Sequence, residues 1–249
     1  MTKFYVLGFC IAFLIGLTGV GGGTLTVPIL LFLGIEPAVA VGVALGFSAL
    51  IKIPSSLIYF IRGDINKRIL LLLSLGGIPG VVAGSFLLGH LSRKSHLGSF
   101  LLLAIGLTVV LSSLLNLWFT LTDHRLPLHR YLRWLPAFSF FIGVEVGSFS
   151  AGGGALGSLL LLTLTKLSPS EVVGTDIAFG MLLSLIGGGI HAHQGMSDSR
   201  LILAMVSGGI LGAIGGAYAC TVIPKKPARV FLLVWLIFVG SMVAVRAVR

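Results

Sequence analysis

Charged residues are scarce in this chain of 249 residues, because Asp, Glu, Lys and Arg together make up only 10% of it. Soluble domains usually carry about 25%. Hydrophobic residues account for 56% of the chain, and its mean hydropathy is +1.11. The scarcity of charge excludes an ordinary soluble domain and predicts an all-α polytopic membrane protein.

Acidic residues are especially few: 7 Asp and Glu stand against 17 Lys and Arg, which gives a net charge of +10. Most of these cations fall in short loops and near the C-terminal end, where they orient helices and contact anionic lipid headgroups. No soluble basic domain accompanies them. We therefore expect membrane lipids as partners and no nucleic acid.

Cysteine is also rare, and the motifs of common enzymes are absent from the sequence. Cys10 and Cys220 both lie in apolar segments, so neither a disulfide framework nor a CxxC metal site is predicted. The sequence has no HExxH zinc motif and no GxSG serine motif, and no GK[ST] follows its glycine runs. We expect neither an enzyme nor a protein that needs a cofactor or a metal.

An internal repeat organises the chain. GGGTL at 21–25 matches GGGAL at 152–156, and after one inserted residue the offset of 132 persists. Pro37 then pairs with Pro169, and Gly63 pairs with Gly195. Four glycines of the first half pair with four of the second: Gly76, Gly77, Gly80 and Gly84 with Gly208, Gly209, Gly212 and Gly216. The sequence predicts two membrane repeats, 1–119 and 134–249, joined by a polar linker at 120–133.

Each repeat contains four apolar stretches, of which the first is unusual. The last three have the length of ordinary spans, whereas the first, 4–34 or 134–166, is too long for a simple crossing. Its glycines make it either a broken, tilted helix or a re-entrant hairpin. A crossing would make the two repeats parallel, and a hairpin would make them inverted. The segment lengths and the inverted repeats of many transporters favour the hairpin.

The glycine triplets are the first candidate site. Non-helical backbone at membrane depth is tolerated only beside protein or a water-filled cavity. A helix that begins at a glycine presents unpaired N–H groups and a partial positive charge, which bind anions. Two such helix ends would hold one anion near the midplane: Gly21, Gly22 and Gly23 with Gly152, Gly153 and Gly154. The alternative is that these glycines only permit close helix packing.

A polar face on the second span of each repeat is the second candidate. Ala44, Ser48, Lys52, Ser55 and Tyr59 share one helix face, and their counterparts are Asp176, Gly180, Ser184, Gly187 and His191. Facing lipid, an ionised Lys52 or Asp176 would cost several kcal/mol.

Lys52 would neutralise a bound anion; alternatively it pairs with Asp176 or Glu145 or extends toward an interface. Asp176 and Glu145 are candidates for ion coupling or an ion pair. Hydroxyl groups of Thr24, Ser48 and Thr175 would donate hydrogen bonds to anion oxygens, although such groups often bond within their own helix.

The sequence GLTGVGGGTLTVP at 16–28, followed by PAVAVGVALGFSAL at 37–50 and repeated near Ala151, resembles the TauE/SafE family of membrane permeases. The resemblance implies a bacterial inner-membrane exporter of sulfite, an organosulfonate or another small sulfur-containing anion, and it leaves a homo-oligomer open. The alternative is a permease or channel for another small anion, such as a carboxylate. Two departures stand out: Gly157-Ser158-Leu159 replaces Thr26-Val27-Pro28 of the first copy, and Asp176 stands where the family tends to have a small residue.

Overall fold

A computed structural model describes residues 2–18, 21–92, 98–122, 129–150, 153–222 and 225–247. All of the regular structure in these ranges is helical. The helices are α1 (Thr2–Thr18), α2 (Gly22–Phe32), α3 (Pro37–Ile61), α4 (Lys67–Ser92), α5 (Gly98–Thr122), a 3-10 helix (His129–Trp134), α6 (Leu135–Phe149), α7 (Gly153–Leu164), α8 (Pro169–His193), α9 (Ser199–Val222) and α10 (Lys225–Arg246).

Within these ranges, six helices are long and apolar enough to cross a membrane, namely α3, α4, α5, α8, α9 and α10. Their outer faces carry large apolar side chains, such as Leu71, Trp118, Ile214 and Phe231, that are more than half exposed. A soluble protein would leave so much apolar surface in water only at a cost. The prediction of an all-α protein is confirmed for the described residues, and these six helices are candidate membrane spans.

The same order of helices occurs in both halves, with two short helices followed by three long ones. Pro37 and Pro169 occupy the first turn of α3 and α8, where a missing N–H costs nothing. Gly63 and Gly195 follow these two helices, and both have φ = 75°, a conformation that glycine adopts most readily. The end of α5 at Thr122 lies inside the predicted linker, of which residues 123–128 are outside the described ranges.

The paired glycines bring the first helix of each half against the fourth helix of the other half. In α9, Gly208, Gly212 and Gly216 lie against the backbone carbonyls of α1 at Tyr5, Phe9 and Phe13. In α4, Gly76, Gly80 and Gly84 lie against the carbonyls of Pro136, Phe140 and Val144 in α6. Small residues allow this close backbone approach between membrane helices. Each half therefore packs its first helix on the other half: α1 lies on α9, and α6 lies on α4. We call this arrangement the exchange of helices.

Replacing Gly80 by alanine is expected to lower the thermal unfolding midpoint by several degrees. An added methyl group would overlap the Phe140 carbonyl oxygen, and overpacking of this kind typically costs about 1–3 kcal/mol. Gly189→Ala in α8 is the matched control, because a methyl group there meets no atom within 4 Å and alanine favours a helix. A midpoint that falls equally in both variants would contradict the packing role of Gly80.

Two pairs of equivalent helices, each with one member from either half, run in opposite directions. Along α3 and α8, Gly46 lies against Gly188, Lys52 against Gly180 and Tyr59 against Gly174. Along α5 and α10, Gly106 contacts Gly240 and Ala244, whereas Asn116 near the other end bonds to Arg229. In both pairs rising numbers in one helix meet falling numbers in the other, so the paired helices are antiparallel.

The short helices α1 and α2 also run in opposite directions. The contacts of Tyr5, Phe9 and Phe13 with Gly208, Gly212 and Gly216 make α1 parallel to α9, and α9 is parallel to α3, since Gly46 faces Ile202 and Ile51 faces Gly209. The first turn of α2 lies beside Ser48, halfway along α3. Because only residues 33–36 join α2 to the start of α3, α2 runs back along α3.

Candidate substrate site

A small cavity lies where the start of α2 meets the middles of α3 and α8. Its space for the centre of a water-sized sphere is about 10 Å³, which is room for about one water molecule. The lining combines glycine backbone, hydroxyl groups and one amine. Its members are Gly21, Gly22, Gly23, Thr24, Ser48, Lys52, Val146, Ser150, Gly180 and Ser184.

The start of α2 supplies backbone to this cavity. Gly21 is the N-cap residue and, being glycine, provides no side-chain hydrogen bond to the first turn. Gly22, Gly23 and Thr24 are buried, so the first turn of the helix is shielded from bulk solvent. A helix start of this kind carries partial positive charge that an anion can neutralise.

The facing polar stripes of α3 and α8 form the opposite wall. Ser48 and Lys52 lie near the middle of α3, and Gly180 and Ser184 lie near the middle of α8. A methyl group at Gly180 would come within 2.8 Å of Lys52 Nζ, so the amine occupies the space that the missing side chain leaves. Lys52 therefore reaches the cavity at the level of the glycine break and not at a helix end.

The end of α6, which precedes the second glycine triplet in the sequence, lies at the same cavity. Ser150, which ends α6, has φ = 56°, a left-handed conformation that is uncommon for residues other than glycine. An added methyl group on Gly23 would overlap the Ser150 backbone carbonyl. The start of α2 thus lies directly against Ser150, the residue that ends α6.

The second triplet itself is only partly described. Gly152 lies outside the described residues, and Gly153 and Gly154 begin α7. The prediction that both triplets bind one anion therefore stays a prediction. Glu145 lies in α6 directly before Val146, which lines the cavity.

Thr175 and Asp176 are buried but are not among the lining residues. The Thr175 hydroxyl accepts a hydrogen bond of 3.0 Å from the Asn66 backbone N–H, beyond the end of α3. Asp176 lies one helical turn before Gly180, and its Oδ2 accepts a 2.5 Å hydrogen bond from the Ser158 hydroxyl. Thr175 thus anchors a loop, while Asp176 lies beside the cavity wall.

Two lining residues, Val146 and Ser150, were not candidates from the sequence, whereas Gly180 and Ser184 belong to the predicted polar face of α8 without having been assigned to substrate binding. Gly180 and Ser184 carried a usable signal, since they are the repeat counterparts of Ser48 and Lys52. Ser150 carried another, because the offset of 131 that aligns the triplets pairs it with Gly19. Glycine tolerates left-handed backbone, so its presence in the first copy is consistent with the left-handed residue at position 150.

Comparison with known proteins places these features in a group of transporters. Residues 4–243 match the family described as sulfite exporter TauE/SafE. The chain is 29% identical to "Probable membrane transporter protein YjnA" of Bacillus subtilis over 95% of its own length and 96% of that protein. It is 25% identical to "Probable membrane transporter protein YunE" of the same organism over 94% of each chain. It is 27% identical to a "Probable membrane transporter protein" of Haemophilus influenzae over 86% of its length and 82% of the relative. No solved structure matches the chain.

Proposed function

We propose that this chain, which belongs to the TauE/SafE family of membrane transporters, is a secondary transporter that exports a small sulfur-containing anion, such as sulfite or an organosulfonate, across the bacterial inner membrane. The observation that carries the proposal is the convergence of Lys52, three hydroxyl-bearing side chains from α3, α6 and α8, and the glycine start of α2 on one cavity.

The residues of this cavity suit an oxyanion with several acceptor oxygens. Lys52 supplies a full positive charge, and its ammonium group donates up to three hydrogen bonds. Ser48, Ser150 and Ser184 supply hydroxyl donors, and the first turn of α2 supplies backbone N–H groups. Glycine at 21, 22, 23 and 180 leaves room for the ligand to approach the backbone.

The cavity accommodates about one water molecule, which is less than a sulfonate or sulfite ion needs. We take this geometry to be a contracted state between binding events. Outward movement of the α2 start or of α8 would enlarge the cavity, and movement on one side at a time would give alternating access.

We further propose that the halves are inverted repeats and that α1 and α2 form a re-entrant hairpin. The antiparallel course of α3 and α8 supports the first proposal, because equivalent spans of parallel repeats would run in the same direction. The reversal between α1 and α2 supports the second, with the glycine turn at its tip. Transporters with inverted repeats commonly hold substrate at such discontinuous helices.

Topology labelling tests this arrangement. Single cysteines at Arg62 and Ser199, introduced after Cys10 and Cys220 have been replaced by alanine, lie beyond the ends of α3 and α8. In inverted repeats these positions are on opposite faces of the membrane. A membrane-impermeant maleimide should therefore label one of them in intact cells and the other only after permeabilisation. Labelling of both from the same side would contradict the inverted arrangement.

Transport by purified protein in proteoliposomes tests the substrate class. Vesicles loaded with sulfite, sulfoacetate, a taurine-like sulfonate or thiosulfate should release the anion faster than protein-free vesicles. Acetate and chloride are the comparison anions. Failure of every sulfur-containing anion to exchange or bind would exclude the sulfur assignment.

The second candidate is a permease or channel for another small anion, because the cavity residues recognise negative charge and acceptor oxygens without selecting sulfur. Counterflow separates a carrier from a channel. A carrier accelerates release of labelled anion when unlabelled anion is present on the opposite side, whereas a channel conducts without that stimulation. Transport of a carboxylate in preference to every sulfonate would favour this candidate.

A further inference from the structure

Asp176 is a buried carboxylate beside the proposed substrate site, and its two oxygens differ. Its side chain is 7% exposed. Oδ2 accepts the hydrogen bond from Ser158, whereas Oδ1 is buried and has no hydrogen-bond partner among the described residues. A buried polar atom without a partner is costly and is expected to serve a purpose.

Two departures from the repeat pattern create this environment together. Ser158 stands where the first copy has Val27, and it provides the hydroxyl that bonds to Asp176. Gly157 stands where the first copy has Thr26, and a methyl group there would overlap Asp176 Oδ1. Gly157 thus makes the space and Ser158 makes the bond.

The fold does not need a carboxylate at this position. The counterpart of Asp176 in the first half is Ala44, which is fully buried in α3. Helices α3 and α8 occupy equivalent places, so an apolar side chain packs there in one half. In the second half, Asp176 has a hydroxyl partner in Ser158 and space for its Oδ1 at Gly157. A carboxylate accommodated in this way therefore serves a purpose other than packing.

Two positive groups, Lys52 and Arg229, act electrostatically on Asp176. Lys52 of α3 reaches the cavity, and Arg229 of α10 bonds to Asn116 Oδ1 at 2.6 Å. Of the other helices that pack against α8, α7 has no titratable residue and α6 has Glu145. The titratable residues of α4, which are Lys67, Arg68 and His90, lie near its ends. His191 lies four turns further along α8, where its ring bonds to the Gly147 carbonyl.

We propose that Asp176 is a proton site coupled to the substrate cavity, so that an anion and a proton bind together. This inference rests on the proposed function. Lys52 is the group that the two sites share, since its charge acts on Asp176 and its amine lines the cavity. An anion that binds Lys52 neutralises the charge that favours ionised Asp176, and it adds a negative charge nearby. Both effects favour uptake of a proton by Asp176.

The coupling is reciprocal by thermodynamic necessity. A protonated Asp176 leaves the charge of Lys52 to the anion and strengthens anion binding. The Ser158 hydroxyl, which donates to the carboxylate, can also accept from the carboxylic acid. The pair therefore binds and releases a proton without leaving the hydroxyl unpaired, and the anion would move together with a proton.

Titration calorimetry of the full-length purified protein tests the proposal. Sulfoacetate or thiosulfate, which do not titrate near neutral pH, is injected in two buffers of different ionisation enthalpy, at several pH values between about 5 and 8. The difference in heat between the buffers gives the protons taken up per anion. Wild-type protein should take up a proton on binding, and Asp176→Asn should bind the anion with no such uptake.

Two further variants make the outcome decisive. Glu171→Gln removes a carboxylate from the first turn of α8 and leaves Asp176 in place. It should retain full proton uptake, which would exclude a nonspecific effect of removing a carboxylate. Ser158→Ala removes the donor to Asp176 and should shift the uptake toward higher pH. Anion binding without proton uptake by wild-type protein, or equal uptake by Asp176→Asn, would overturn the proton site and leave the proposed function standing. Failure of every tested anion to bind wild-type protein would overturn both.

Discussion

Lys52→Met is expected to weaken anion binding by about 10- to 100-fold and to reduce transport in proportion. Among the described residues that line the cavity, Lys52 is the one cation. Hydrogen bonds that involve a charged group contribute about 1.5–3 kcal/mol, and about 1.4 kcal/mol corresponds to a tenfold change in affinity. Methionine keeps the length and apolar stem of the side chain but has no charge. Binding of sulfoacetate or thiosulfate to purified protein measures the effect.

Two matched variants identify the cause of that loss. Lys52→Arg keeps the positive charge, and should retain more affinity than the methionine variant. Lys166→Met removes an exposed cation from the loop between α7 and α8, and should bind as wild type does. Unchanged affinity in a folded Lys52→Met protein would show that the anion does not contact Lys52, and an ion pair with Asp176 would then be the better account of this residue.

Gly23→Ala is expected to abolish measurable anion binding and to lower the stability of the protein. The added methyl group would overlap the Ser150 carbonyl, so the start of α2 and the end of α6 would have to separate. Ser150 is already held at φ = 56° and has little freedom to move away. Overpacking costs about 1–3 kcal/mol, and the displacement would fall on the cavity itself. The thermal unfolding midpoint and anion affinity of the purified variant measure the two effects.

Gly22→Ala and Gly189→Ala calibrate this result. A methyl group at Gly22 would lie 3.1 Å from the Ser48 hydroxyl oxygen, which can rotate, so we expect weaker anion binding with a smaller loss of stability. Gly189→Ala should leave both quantities unchanged or raise the midpoint slightly. Wild-type stability and affinity in Gly23→Ala would contradict the contact between the two breaks.

Local patterns in the sequence predicted much of the candidate site. The glycine triplet at 21–23 and the helix face with Ser48 and Lys52 line one cavity. Both features could be recognised from the sequence, because glycine breaks a helix and residues four apart share a helix face. Close packing by the paired glycines of α4 and α9 likewise follows from their spacing of four residues. These features depend on residues near one another in the chain.

Features that depend on contacts between different helices were harder to predict. The partner of Gly23 is Ser150, and nothing within either local segment specifies that contact. The pairing of Ser158 with Asp176 required two departures from the repeat, which were visible separately in the sequence, to meet across α7 and α8. The exchange of α1 and α6 between the halves is also a property of tertiary packing, because the sequence shows only that the glycine faces exist.

That exchange of helices constrains how the protein is assembled. The partner of α6 is α4, which has already been synthesised when α6 appears, whereas α1 must wait for α9, which begins roughly 180 residues after α1 ends. At about 5–20 residues per second, α1 spends about 10–40 s in the membrane without its neighbour. During that interval the face of α1 that packs on α9 is without its partner. Biogenesis of the two halves is therefore unequal even though their architecture is repeated, because α6 meets its partner helix as it is made and α1 does not.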